Sequence, residues 1–362
     1  MLKRIIAMAL ALLPAFGTLS ACSNTGAPAG TDTQPTETKP LVQKDDGVLR
    51  VLLIGHSLGN DAMWMLPDVF AKEAPDTKVV LGFLYYSGCK LSAHVKYAQE
   101  EAAVYAYAEY DSQKDTYWQV AETNGNMKPL RHGGTLNAEN LANGINQTSL
   151  FALKRQDWDV VVTQGYPWEV AKVSLPQYDP DLISNFNTLK QYVLDNDIDK
   201  DTTPKFCWNM VWTFPDDDTL IRDGDRDTLQ TYFDNDVENY YNTTAQIVRD
   251  ELMPELKFDY VFPSSTAYIN ALSGYKTTKD MYRDYGHASD FGRAMIAYLW
   301  YCTLTGTDIT QCKLGPINYQ YRKDELVYMM KEDMVLTEEE KQTIKEVVGN
   351  ALAKPYEITP KA

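Results

Sequence analysis

The sequence predicts an α/β fold: a three-layer α/β/α sandwich on a five-stranded parallel sheet of flavodoxin-like order. Two observations carry that expectation. Five short, nearly uninterrupted apolar runs have the length and composition of strands buried on both faces. Between them lie segments with apolar residues at helical spacing, and strands alternating with helices imply a parallel sheet covered on both sides.

The first run, residues 48–54, is bounded by Gly47 and Gly55. Ala62, Met65, Leu66, Val69 and Phe70 follow at helical spacing, with Asn60 or Asp61 available as the cap. Residues 78–86 make the second strand, which ends at Ser87-Gly88. The third, fourth and fifth are 158–163, 205–212 and 258–262, with a helix over 240–251 leading into the last. An apolar helix over 292–305 completes the core. Thr337 and Glu340 make a capping box that opens a C-terminal helix to about Leu352. Residues 94–150 read as a helical insertion outside the sheet, with polar loops and the Gly-rich Arg131-His132-Gly133-Gly134. The folded domain is expected over 47–353, followed by a tail at 354–362.

The N-terminus gives an address. Lys3 and Arg4, an apolar run over 5–16 and small residues before Cys22 describe a secretory signal peptide over 1–21. The run is too short to span a bilayer as a mature helix. Leu19-Ser20-Ala21-Cys22 resembles the lipobox of bacterial lipoproteins, which implies lipidation at Cys22 and an extracytoplasmic chain held to the cell membrane through that anchor. Residues 22–46 are rich in Ser, Thr, Pro and Gly and read as a flexible tether.

A net charge of −16 argues against a nucleic-acid partner, because phosphate binding needs a basic patch. Of the cysteines after Cys22, no pair of Cys89, Cys207, Cys302 and Cys312 has metal-ligand spacing. A Cys302–Cys312 disulfide is compatible with an exported chain, and the sequence alone leaves it open. Acidic runs such as Asp216-Asp217-Asp218 read as solvated loops. No metal or organic cofactor is implied.

The chemistry sits at predicted strand ends. Gly55-His56-Ser57-Leu58-Gly59 follows the first strand, and a serine on a tight strand-to-helix turn exposes its hydroxyl at the carboxyl edge of the sheet. A serine nucleophile needs a base, and the histidines are His56, His94, His132 and His287. His287 stands three residues after Asp284 in Asp284-Tyr285-Gly286-His287. A carboxylate so placed can bond one ring nitrogen while the other serves Ser57. Tyr85, Tyr86, Tyr166, Trp168 and Trp212 lie at or just past strand ends, as a rim that could stack on sugar rings.

These blocks together resemble the SGNH (GDSL) hydrolases, specifically a bacterial branch known as a domain of unknown function. The resemblance runs from about Leu49 to Leu352. It rests on Gly55-His56-Ser57, on Ser87-Gly88-Cys89, and on Asp284-Tyr285-Gly286-His287-Ala288-Ser289 followed by Gly292-Arg293. It implies a Ser57–His287–Asp284 triad, with an oxyanion hole from the amides of Ser57 and Gly88 and the side chain of Gln164. The implied substrate is a small acyl ester, such as an acetyl group on carbohydrate. Two positions depart from the family pattern. His56 stands where Asp or Asn is usual, and Thr163-Gln164-Gly165 stands where an Asn donor is usual.

Two other readings fit parts of the chain. An α/β-hydrolase shares the Gly-x-Ser-x-Gly elbow, and His132-Gly133-Gly134 hints at its oxyanion loop. That fold, however, places strands and the loop upstream of the serine. A non-catalytic binding lipoprotein could use the same cleft to hold glycan, and the unusual His56 and Gln164 suit it.

Overall fold

The computed structural model describes residues 46–114, 118–129, 146–171, 179–199, 201–317 and 334–362. The signal segment, Cys22, most of the tether and His132-Gly133-Gly134 lie outside them.

One sheet organises these residues: β1 (Val48–Gly55), β2 (Lys78–Tyr85), β3 (Ala106–Asp111), β4 (Gln119–Ala121), β5 (Met127–Pro129), β6 (Val160–Thr163), β7 (Lys205–Asn209) and β8 (Tyr260–Phe262). Its order is β5-β4-β3-β2-β1-β6-β7-β8. The run β2-β1-β6-β7-β8 is parallel throughout and comprises the five predicted strands, in flavodoxin-like order.

The sheet is wider than expected. The insertion does not stay outside it: after helix α3 (Leu91–Gln99), β3, β4 and β5 add three antiparallel strands to the β2 edge. The physical reason lies in residues 105–110. Tyr105 and Tyr107 pack into one core cluster, Ala106, Ala108 and Tyr110 into the other, so the segment alternates as a strand buried on both faces.

β1 shows why the core has two halves. Leu49, Val51 and Leu53 point into one cluster, with α1 (Ser57–Met63), α2 (Leu66–Glu73), α11 (Asp290–Thr305) and α12 (Glu338–Ala353). Val48, Leu52 and Ile54 point into the other, with α3, α4 (Ser149–Leu153), α5 (Leu182–Asn196) and α7 (Val237–Ile247). The segment expected as one helix over 62–70 is two, because Pro67 sits in the first turn of α2 and restarts it.

Residues 354–362 are part of the body. The Thr359 N–H donates to Asn270 Oδ1 at 2.7 Å and the Lys361 N–H to Ser273 O at 3.0 Å, laying the segment along α9 (Ser264–Leu272). The four cysteines of the described residues, Cys89, Cys207, Cys302 and Cys312, are free, buried thiols.

Candidate active site

The carboxyl ends of the parallel strands carry the site. β1 ends at Gly55, and α1 begins at once with Ser57 in its first turn. His56 is the cap. Its Nδ1 accepts from the Leu58 N–H at 3.4 Å and its Nε2 lies 3.2 Å from Gly165 O, so the ring is neutral with the proton on Nε2. Burial takes the His56 pKa down to about 4. The imidazole therefore does what Asp or Asn does at an N-cap, which accounts for the departure at this position. Neither Asn60 nor Asp61 caps the helix.

Asp61 instead lies fully buried beneath the site. Its carboxylate accepts from Arg283 Nη1 at 2.9 Å, from Arg293 Nε at 2.8 Å and from the Ala288 N–H at 2.8 Å. Burial alone would raise its pKa, but the Arg293 and Arg283 cations outweigh that and hold it below the usual range. Through this carboxylate α1 grips the loop that carries His287. Asp61 read as a possible cap in the sequence, and no motif pointed to its arginine partners.

On that loop, His287 Nδ1 lies 2.9 Å from Asp284 Oδ1 and 3.0 Å from Oδ2, and Oδ1 also accepts from the backbone N–H groups of His287 and Gly286. Burial works against the ionised Asp284, yet these bonds and the imidazole draw its pKa down to about 2. Trp212 Nε1 donates to Gly286 O at 2.9 Å, and Ser289 caps α11, which fixes both ends of the loop. Ala288, the next residue, donates its N–H to Asp61 of α1 at 2.8 Å, which ties the His287 loop to the helix that Ser57 opens. Among the described residues no hydrogen bond joins Ser57 to His287, so the serine–histidine arm stands open while the histidine–aspartate arm is formed.

Two backbone N–H groups of the expected oxyanion hole are unbonded among the described residues. In the first turn of α1, the Leu58 N–H goes to His56 and the Asn60 N–H to His56 O, leaving that of Ser57 without a partner among the described residues. Gly88, just past β2, is exposed, and its N–H is likewise unbonded there. Its φ of +58° is a backbone that glycine adopts freely.

Gln164 does not join them. It is fully buried, one residue past β6, with its amide 3.1 Å from the Asn209 amide nitrogen. With its oxygen turned to the β1–α1 turn, it accepts from the His56 N–H at 3.1 Å and the Gly59 N–H at 3.2 Å. A Cβ at position 59 would come within 2.6 Å of Leu53 Cδ2 and 2.8 Å of the Gln164 amide, which is why the second glycine of the turn is needed. The longer glutamine thus props the Ser57 turn from within the core.

The aromatic rim is also revised. Trp168, Trp212 and Tyr85 are 0 %, 1 % and 4 % exposed. Trp168 donates to Asp225, Trp212 stacks on Tyr268, and Tyr85 packs against Phe83. Tyr86 lies against Tyr97 and Tyr105, on the α3 side. Tyr166 is half-buried, 5.9 Å from the His56 ring. A ring absent from the predicted set, Tyr285, stands 5.3 Å from His287. The adjoining Asp-x-x-His motif was the available signal for it.

No family model matches the chain, and no curated protein does. Among solved structures, a DUF4886 family protein from Bacteroides uniformis superposes with a TM-score of 0.60, covering 86% of this chain and 97% of that one at 17% identity. The chain therefore shares the fold of this DUF4886 family protein. More distant are a catalytic mutant of an acetylxylan esterase from Geobacillus stearothermophilus (TM-score 0.38, 12% identity, 71% and 94% covered) and a gut microbial diltiazem-metabolizing enzyme (TM-score 0.35, 11% identity, 73% and 48% covered).

Proposed function

We propose that the chain is a serine esterase, tethered outside the cell through Cys22, that removes a small acyl group such as acetyl from a carbohydrate. The observation that carries this reading is the Asp284–His287 pair, formed and ionised on a loop that the buried Asp61 fastens to the Ser57 helix. The Asp284 carboxylate holds the proton on Nδ1 and leaves Nε2 as the acceptor. Ser57 Oγ attacks the ester carbonyl as Nε2 takes its proton, and the amides of Ser57 and Gly88 receive the charge that develops on oxygen. His287 returns the proton to the leaving alcohol, and water reverses the sequence on the acyl-enzyme. A closing of the open Ser57–His287 arm on substrate is part of the reading, since catalytic bonds of this kind are often long before substrate binds.

The test is 4-nitrophenyl acetate hydrolysis by the chain from Gly47 onward, beside Ser57→Ala. Turnover lost in the variant supports the esterase. Equal rates in both, with matching circular dichroism, would sink it and favour a binding protein that holds glycan in the same cleft.

A further inference from the structure

Beside the Asp284–His287 pair stands a cation that the hydrolytic steps do not use. Arg222 immediately precedes α6 (Asp223–Phe233), on the loop after β7. Its guanidinium lies over the ring of Tyr285, 3.9 Å from the centroid, and Tyr285 is the ring beside His287. Phe214 flanks it at 5.9 Å. The charge therefore stands one aromatic ring away from the general base, between the loops that follow β6 and β7.

The guanidinium is fixed but not used up. Arg222 Nε and Nη2 reach the same Asp225 oxygen, Oδ2, at 3.0 and 2.9 Å. Asp225 cannot follow the cation toward the cleft, because its other oxygen accepts from the buried Trp168 Nε1 at 2.9 Å. Asp225 engages Nε and Nη2 only, and the side chain remains 50% exposed. A stacked guanidinium with donors to spare is preorganised for the two parallel oxygens of a carboxylate. The net charge of −16 opposes an anion at long range, but salt screens that field over about 8 Å, whereas the Arg222 fork acts at contact.

We propose that Arg222 recognises a carboxylate on the substrate, so that the preferred ester is an acidic one. The proposal rests on the esterase reading for its chemistry and on Arg222 for its specificity. The carboxylate could belong to the alcohol part, as in an acetylated uronic acid, or to the acyl part, as in a hemisuccinate.

The experiment compares three esters, O-acetylated trigalacturonate, 4-nitrophenyl hemisuccinate and neutral 4-nitrophenyl acetate, in the wild type, Arg222→Lys and Arg222→Met. For at least one acidic ester, kcat/KM relative to the neutral ester should fall tenfold or more in Arg222→Met, mainly through KM, and recover in part with Lys. Which acidic ester responds tells the alcohol side from the acyl side. An unchanged ratio for both acidic esters, or an equal loss on all three, overturns the proposal, the latter because Arg222 would then be a structural clasp. Should no ester turn over, calorimetric binding of trigalacturonate separates the two readings. Binding that weakens tenfold in Arg222→Met keeps the anion site while the esterase falls, and no binding overturns both.

Discussion

Asp61 and Arg293, separated by 232 positions in the chain, meet at 2.8 Å with both side chains buried. Arg283 and the Ala288 N–H complete the same carboxylate, so one side chain from α1 holds both the first turn of α11 and the His287 loop. Removing one partner of a buried ion pair strands the other's charge, at a cost of about 3–5 kcal/mol. Asp61→Asn keeps the shape and removes the charge. It should lower the urea midpoint by a margin of that order and depress kcat, because Ser57 and His287 lose their common tie. A variant with wild-type stability and wild-type kcat would show that the loop is held by other contacts.

Asp284→Asn isolates the orienting carboxylate. The amide can still accept from the backbone, but in the proposed mechanism it no longer matches the imidazolium that would form when Nε2 takes the serine proton. A loss in kcat on the order of 10³- to 10⁴-fold is expected with KM little moved. Because Asp284 stays ionised down to about pH 2, no part of the wild-type pH profile near neutrality arises from it. A loss below tenfold in Asp284→Asn would remove it from the triad.

Gln164 gives a prediction of a different kind. Its oxygen serves two backbone N–H groups of the nucleophile turn, and an unsatisfied buried donor costs about 1–3 kcal/mol. Gln164→Leu should therefore lower the melting temperature by several degrees, at about 2–4 °C per kcal/mol for a domain of this size. An oxyanion donor would behave otherwise, with kcat falling about 10²- to 10³-fold at an unchanged melting temperature. Measuring both quantities on one variant decides between the two roles.

The five parallel strands were legible because each is buried on both faces and so reads as an uninterrupted apolar run. β3 was not, because its tyrosines, glutamate and alanines alternate between two covered faces and give no amphipathic contrast. The Asp284–His287 contact could be anticipated from their spacing along the chain. The roles of Gln164, Trp168 and Trp212 could not, since a residue just past a strand end can turn toward the cleft or beneath it, and only packing decides. Asp61 and Arg222 matter through partners far away in sequence or across loops, where local pattern carries no signal.

His94 and His56 should make the fold acid-sensitive. Both are buried, and burial takes their pKa values down to about 3 and about 4, below the 6.5 expected of an unfolded chain. As pH falls below about 6.5, the unfolded chain takes up protons that the folded one refuses, so stability is complete above that value and declines toward pH 4. The loss should be on the order of a few kcal/mol across the window. His94 lies away from the chemistry, with Nδ1 2.9 Å from Tyr105 Oη and its ring stacked on Tyr105. His94→Phe keeps the stacking and removes the titrating group. Urea midpoints at pH 7.5 and pH 5 should differ less in this variant than in the wild type, even though its stability at pH 7.5 is lower for want of the Tyr105 partner. An equal difference in both proteins would mean that His94 does not contribute to the acid limb.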